Sequence, residues 1–233
     1  MNKHPTLLKL PLWKTLSVLI GFPLLSTILS LLLLHRNIFD IVNLDFFSGF
    51  WIVISGWYAA QILIIRQLLY SEGYSLKDIG YKLSLKKTIW VLVGYLLFVT
   101  MLIVFIEISL ANEQIDAGQL SDFANFAPTQ NRQRIIFVIM ALVGGLAEEI
   151  VYRGFAMRAL QGYRIHKILT VFIAALPFVF QHGLKSIDQF WWFFGMGIIF
   201  GLIFLVFKNL YLNIILHWLI VLSVMLAVLS TIQ

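Results

Sequence analysis

The chain has 233 residues, of which 61% are hydrophobic and only 12% are charged, so it is too apolar to be an ordinary water-soluble domain. It contains no cysteine, which excludes a disulfide framework, a thiol nucleophile and a thiolate metal site. The net charge of +6 does not indicate a nucleic-acid partner, because the basic residues lie in short segments beside apolar runs, as in membrane proteins.

Seven uncharged apolar runs follow one another along the chain. A helix of about 20 apolar residues crosses a hydrocarbon core about 30 Å thick, and most of the runs approach that length. Period-two alternation is absent, and lipid accepts only helices or closed barrels. We therefore predict an all-α, polytopic transmembrane helix bundle that forms a single integral membrane domain over residues 1–233. The runs cover residues 16–34, 46–65, 88–106, 135–147, 168–181, 190–207 and 210–233, the last interrupted only by His217.

The distribution of lysine and arginine predicts the orientation of the bundle. With seven spans and a cytoplasmic N-terminus, thirteen of these residues lie inside and four outside. We therefore expect a multi-pass protein of the cell membrane with a cytoplasmic N-terminus. The first run is too long for a signal-peptide apolar region and no small-residue cleavage site follows it, so we expect a retained span. The chain also looks bacterial. The fourth and fifth runs are short, so eight spans stay an alternative. The polar segment 107–134 is expected to be an outer connecting loop, and the segment 71–87 to lie along the inner membrane surface.

Ionisable side chains occur at three places within or beside the apolar runs. A charge at the centre of a bilayer costs about 2.5 to 3.5 kcal/mol on insertion scales, so such residues usually face a protein interior and serve a function. Glu148, Glu149 and Arg153 follow the fourth run, His182 ends the fifth, and His217 lies within the seventh. These residues are the candidates for a functional site.

The spacing of the first group separates the two glutamates. On a helix, Glu149 and Arg153 are i, i+4 neighbours with the acid on the N-terminal side, the better order for an ion pair. Glu148 lies about 100° further round the helix and shares its face with Tyr152. We expect Glu149 and Arg153 to neutralise each other and Glu148 to be free for chemistry.

A carboxylate sheltered from water is a natural general base, and an imidazole near it can share the same water molecule. The second imidazole could then donate to the oxyanion that develops on an attacked carbonyl. This set of side chains suits hydrolysis of a peptide bond. The plainer alternative is that each histidine caps a helix carbonyl and that the two glutamates are charges at the membrane boundary.

The sequence resembles the CPBP family, which comprises CAAX prenyl endopeptidases and bacteriocin-processing enzymes and is also described as Abi-type or glutamic intramembrane proteases. The family pattern EExxxR, FxxxH and HxxxN or HxxxD is matched by "EEIVYR", by Phe178 and His182 in "FVFQH", and by His217 in "HWLIV". The resemblance covers residues 135–221, which we take as the catalytic core. It implies that Glu148 activates water with His182, that Glu149, Arg153 and Phe178 support the site, and that His217 belongs to the oxyanion side.

One position departs from the family pattern. The residue four places after His217 should be Asn or Asp but is Val221, which has no donor. Losing one oxyanion donor costs about 10² to 10³ in rate, so activity is in question. Asn213 lies one helical turn before His217 and is our candidate substitute donor.

The resemblance implies a site without a cofactor, and the chain has no HExxH motif. Zinc held by a glutamate and two histidines is the alternative.

The depth of the site residues poses a geometric problem. At about 1.5 Å per residue, Glu148 is about 20 Å from Arg134, whereas His182 is about 22 Å from Lys167 at the other surface. If the two helices were straight, antiparallel and ended at these residues, Glu148 and His182 would lie near opposite surfaces of the membrane. We predict that the fourth helix continues through Arg153 towards Leu160, the alternative being a bend in the fifth near Pro177.

These observations predict an intramembrane endopeptidase that acts on a membrane-associated peptide or protein, with membrane lipid as its surroundings and no nucleic acid. The resemblance to the family implies a substrate such as a leader or pheromone peptide. Two other functions stay open. One is a catalytically impaired protein of the same fold that acts by binding partners, which Val221 favours. The other is a small proton-coupled transporter that uses Glu148 and the histidines as a relay.

Overall fold

The structure is a computed structural model that describes residues 7–81, 89, 90, 92–97, 100, 104 and 128–230. In this part of the chain the regular structure is entirely helical, as predicted. Short 3₁₀ segments lie at Leu31–Leu34, Arg36–Val42 and Leu184–Ile187. The main helices within the described residues are α1 (Leu12–Ser30), α2 (Phe46–Tyr70), α3 (Asn131–Gly162), α4 (Lys167–Phe180), α5 (Phe190–Phe207) and α6 (Leu210–Ser230).

Four of these helices, α1, α2, α3 and α5, are long and apolar enough to cross a membrane. The helix α4 and the Leu210–Leu226 part of α6 are apolar but shorter. Within the third predicted run, residues 92–97 are helical, and the Tyr95 hydroxyl donates to the carbonyl oxygen of Leu219 in α6 at 2.9 Å. Apart from residues 89, 90, 100 and 104, the rest of that run lies outside the described residues, as does most of the predicted outer loop.

The helix α3 is the centre of the bundle. It runs without interruption to Gly162, so the prediction that the fourth helix continues past Arg153 is confirmed. Its middle section, Glu149–Ala156, is a π-helix in which every residue is buried. Large side chains of this section, including Tyr152 and Phe155, belong to the main hydrophobic core. Isolated π turns occur often at functional sites because they alter which side chains face the neighbouring helices.

The helices α2 and α3 begin at the same end of the bundle. Asp45 caps α2 by accepting from the Ser48 backbone N–H at 2.9 Å, and it also accepts from the side chains of Arg132 and Gln133 in the first turn of α3. Burial opposes ionisation of the Asp45 carboxyl, but the hydrogen bonds from Ser48, Gln133 and Arg132 lower its pKa well below the usual value. The charged carboxylate therefore holds the starts of these two helices together.

Two glycines of α3 allow neighbouring helices to approach closely. A Cβ atom at Gly144 would lie 3.1 Å from the ring of Tyr58 in α2. A Cβ atom at Gly145 would lie 2.8 Å from Trp218 Cδ1 and 3.3 Å from His217 Cδ2, both in α6. The Trp218 indole N–H donates to the Leu142 carbonyl at 2.8 Å and fixes the α3–α6 contact. These contacts bring α2 and α6 against the part of α3 that carries the two glutamates.

Candidate active site

Glu148 and Glu149 lie at the junction between the α-helical and π-helical parts of α3, and both are almost fully buried. The connection to α4 explains why His182 reaches them. Glu148 lies 14 residues before the end of α3 at Gly162, and His182 lies 15 residues after the start of α4 at Lys167. At about 1.5 Å per residue both side chains are therefore about 21 to 23 Å from the turn that joins the two helices.

Glu149 is held by three side chains. Its Oε1 atom forms an ion pair with Arg153 Nη1 at 3.2 Å and lies 2.9 Å from His217 Nδ1, while its Oε2 atom accepts from Asn213 Nδ2 at 3.2 Å. The predicted i, i+4 pair is thus present, although it forms within a π-helical turn. A carboxylate with this many fixed partners is suited to orienting His217 and Arg153.

Arg153 is buried between aromatic rings on its other side. Its guanidinium carbon lies 4.2 Å from the ring centroid of Phe178 and 5.4 Å from that of Phe200. Rings of this kind attract a cation through their quadrupole, and the attraction is strongest away from water. Phe178, predicted as a supporting residue, therefore contacts both Arg153 and the ring of His182, whose centroid is 4.9 Å away.

Glu148 has a different environment, in which both histidines face it. His182 Nε2 lies 3.5 Å from Glu148 Oε1, and His217 Nε2 lies 3.5 Å from Oε2. These separations are longer than the usual 2.7 to 3.2 Å hydrogen bond. The Tyr58 hydroxyl donates to Oε1 from α2. The structure thus brings Glu148, His182 and His217 together from three different helical segments.

The hydrogen bonds of the two imidazoles determine which nitrogen carries the proton in the neutral ring. His182 Nδ1 is 2.9 Å from the Phe178 carbonyl oxygen, which can only accept, so Nδ1 is the donor. His217 Nδ1 faces the Glu149 carboxylate and is the donor there. In both neutral rings the Nε2 lone pair therefore points towards Glu148, and a proton or a hydrogen-bonding molecule is needed between these acceptors.

Packing against aromatic rings fixes the orientation of both imidazoles. The ring of Phe193 stacks on His182 with centroids 4.0 Å apart and an interplanar angle of 24°. The ring of Phe200 lies 5.2 Å from that of His217. The plainer alternative is that the histidines only cap helix carbonyls. It accounts for the contact of His182 Nδ1 with a carbonyl oxygen, but not for the position of His182 Nε2 beside Glu148 or for the contacts of His217 with the two glutamates.

Asn213 is close to the site but is not arranged as a free oxyanion donor. Its Nδ2 atom donates to the Phe200 carbonyl at 2.8 Å and to Glu149, so both amide hydrogens are engaged. That Asn213 replaces the donor missing at Val221 stays a prediction, and this arrangement does not favour it because both amide hydrogens have other partners. Asn213 supports the site by holding Glu149, because it lies one turn below His217 and reaches the same carboxylate.

Two polar residues of the site were missed by the sequence analysis. Tyr58 donates to Glu148, and Gln181 accepts from the Tyr152 hydroxyl at 2.8 Å beside it. A tyrosine within an apolar run is common, so the sequence did not mark Tyr58 as a site residue. Its position opposite Gly144 depends on how α2 packs on α3. Gln181 adjoins His182 in the "FVFQH" motif and could have been considered.

The described residues contain no group of three or more histidine, aspartate or glutamate side chains arranged to hold a metal ion. The chemistry that the arrangement offers directly is proton transfer, by one carboxylate and two oriented imidazoles.

Comparison with known proteins agrees with the motif analysis. Residues 130–223 match the family described as type II CAAX prenyl endopeptidase Rce1-like. The matched segment contains the glutamates, both histidines and Arg153. It confirms the resemblance to CPBP-family intramembrane proteases that the three motifs indicated. No curated protein and no solved structure matches the chain.

Proposed function

We propose that this chain, a CPBP-family protein by the match over residues 130–223, is an intramembrane endopeptidase that hydrolyses a peptide bond in a membrane-associated peptide or protein. The observation that carries the proposal is the contrast between the two glutamates. The Glu149 carboxylate forms an ion pair with Arg153 and contacts His217 and Asn213. The Glu148 carboxylate instead faces the Nε2 atoms of His182 and His217.

In the proposed reaction a water molecule binds between Glu148 and His182, and Glu148 takes one of its protons. The water oxygen attacks the carbonyl carbon of the scissile peptide bond. His217 donates an Nε2–H to the oxyanion while its Nδ1–H stays bonded to Glu149, so this step uses the imidazole with a proton on both nitrogens. Glu148 then gives the proton to the leaving nitrogen, the C–N bond breaks, and a carboxylic acid and an amine are released.

We propose seven spans in the cell membrane with a cytoplasmic N-terminus. The contacts of Asp45 with Arg132 and Gln133 support this topology, because they place the starts of α2 and α3 at one end of the bundle. A chain that leaves α2 at Tyr70 must return to that end before Asn131. One further crossing between them is the simplest arrangement.

For the substrate we propose a leader or pheromone peptide that lies in or on the membrane. Burial of the site among apolar helices supports a substrate that enters from the lipid. We propose no cofactor and no nucleic-acid partner.

The proposal is tested with purified protein in lipid nanodiscs and a panel of leader peptides, by mass spectrometry of the products. Glu148→Gln is expected to lower turnover by about 10² to 10⁴, the usual range for a general base. Asp188→Asn, which changes an exposed carboxylate between α4 and α5, is the matched control. Retention of activity by Glu148→Gln would contradict the mechanism, and loss of activity on treatment with a chelator would point to zinc.

A second candidate function is a catalytically impaired member of the family that acts by binding partners. The observations that favour it are Val221, which offers no donor, and Asn213, whose amide hydrogens are both engaged. In that case Glu148→Gln keeps the cellular phenotype, and no peptide in the panel is cleaved by the wild-type protein.

A further inference from the structure

A cavity of about 530 Å³ lies at the opposite end of α3 from its capped start, far from the glutamates. It is bordered by the last turns of α3 and α5 and by the first turn of α4. Its polar lining consists of Arg158, Gln161, Lys167 and Lys208, and none of its lining residues is acidic. The proposed peptidase reaction uses none of these residues.

Arg158 is the feature that marks the cavity as a binding site. Its side chain is only 4% exposed, and its Nε atom is buried without a hydrogen-bond partner. Within the described part of the chain the guanidinium forms no ion pair, and its carbon atom lies 5.4 Å from the ring centroid of Phe204. A buried cation is costly unless an anion accompanies it. An anion that is not part of the described chain would therefore be stabilised here.

Other parts of the cavity favour an anion as well. Lys167 and Lys208 add two exposed cations to the lining that contains Arg158. The helix α4 begins at Lys167 and has 14 residues, so its dipole also attracts negative charge, although the Ile168 N–H already donates to His166 Nδ1 at 3.4 Å. Gln161 supplies an amide group in the same wall. The three cations come from three different helix ends, which makes the cavity a preformed pocket instead of a single basic segment.

The apolar wall of the cavity indicates what carries the anion. Val206 is 73% exposed and Leu202 is 41% exposed, and both lie on α5 beside the pocket. On a membrane-spanning helix such a surface faces acyl chains. Arg158, Lys167 and Lys208 all lie on the side predicted to be cytoplasmic, where anionic lipids are concentrated and where basic pockets between helices bind their headgroups.

We propose that this cavity binds the phosphate of an anionic phospholipid of the inner leaflet, with Arg158 as the central contact and the acyl chains along Leu202 and Val206. A free phosphate offers the same headgroup chemistry without the acyl chains. The two sources are distinguished by the experiment below.

The test measures lipid retention by native mass spectrometry of the full chain, in a neutral detergent supplemented with phosphatidylglycerol or phosphatidylcholine. Arg158→Gln is expected to weaken phosphatidylglycerol binding about tenfold or more, because it removes a charge-assisted contact. Lys208→Gln is expected to weaken it about fivefold, near the contribution of one cation at a membrane surface. Arg66→Gln, which removes an exposed cation of α2 outside the cavity, is expected to bind as the wild type does.

Lys208 is exposed, so its variant keeps the test decisive even if Arg158→Gln does not fold. Equal retention of phosphatidylglycerol by the wild type and Lys208→Gln would overturn the proposal, as would equal binding of phosphatidylcholine. If inorganic phosphate protects the protein against thermal unfolding as well as phosphatidylglycerol does, the lipid assignment is also wrong. None of these measurements depends on peptidase activity, so their outcome is independent of whether the proposed function is correct.

Discussion

The two adjacent glutamates differ in what surrounds them, and single side chains account for the difference. Glu149 is fixed by a cation, an imidazole and an amide, whereas Glu148 accepts from the Tyr58 hydroxyl and faces two Nε2 atoms. Sequence spacing predicted the first pair because i, i+4 neighbours meet on any regular helix. It could not predict Tyr58, whose contact with Glu148 depends on the packing of a helix about 90 residues earlier.

Tyr58→Phe removes one hydroxyl and keeps the ring. We expect kcat to fall by about 10- to 100-fold, since a hydrogen bond to a charged group contributes about 1.5 to 3 kcal/mol. Peptide cleavage assays across a range of pH measure the effect. The matched control is Tyr95→Phe, which removes a hydroxyl bonded to Leu219 and Ser223, away from the glutamates. Equal losses in the two variants would show that Tyr58 has only a structural role.

Glu149→Gln leaves the buried Arg153 without its anion. We expect the free energy of unfolding to fall by about 3 to 5 kcal/mol, the usual cost of breaking a buried pair on one side. Thermal unfolding in a fixed detergent gives the change as a lower midpoint. The double variant Glu149→Gln with Arg153→Met is expected to recover part of the loss, because no unpaired charge remains. A double variant whose losses simply add would contradict the assignment of these residues as a pair.

Helix α3 shows both what the sequence predicted about elements and what it could not predict. Because Glu148 and His182 must meet, the sequence predicted that this helix continues through Arg153 towards Leu160. In the structure the helix ends at Gly162, which confirms that prediction. The π-helical section Glu149–Ala156 was not predicted, because periodicity identifies an apolar helix but not a local change in its winding. The same limit applies to Asn213, whose helix face was predicted correctly while its actual partners, Glu149 and Phe200, were not.

Gly145→Ala tests whether the close approach of α3 and α6 positions His217. The added methyl would lie 2.8 Å from Trp218 and 3.3 Å from His217, so both side chains, and with them α6, are expected to shift away from α3. We expect lower kcat together with about 1 to 3 kcal/mol of destabilisation, as for other overpacked contacts. Gly195→Ala in α5 is the control, since a Cβ atom there meets nothing within 4 Å. Wild-type turnover in Gly145→Ala would show that the site tolerates a displaced α6.

For the molecule as a whole, the predicted orientation rests on the distribution of basic residues, and the predicted number of spans rests on the lengths of the apolar runs. Basic residues predict a cytoplasmic N-terminus; the parallel starts of α2 and α3 fit one crossing between these helices but do not distinguish the inside from the outside. Four helices meet the length and composition of a span in the described residues, while α4 is only 14 residues long. By length alone α4 is a poor candidate for a membrane span. It nevertheless joins α3 to α5, and if α4 crosses the membrane, then the end of α3 and the start of α5 lie on opposite sides of it.

The absence of cysteine makes this alternation directly measurable, because each introduced cysteine is the only thiol in the chain. We expect Lys77→Cys and Lys208→Cys to react with a membrane-impermeant maleimide only after the cells are opened. Asp188→Cys, in the turn after α4, should react in intact cells, since seven spans place that turn outside. All three positions are exposed, so differences in labelling report sidedness and not burial. Labelling of Asp188→Cys only in opened cells would show that α4 does not cross, and His182 would then approach Glu148 from a re-entrant helix.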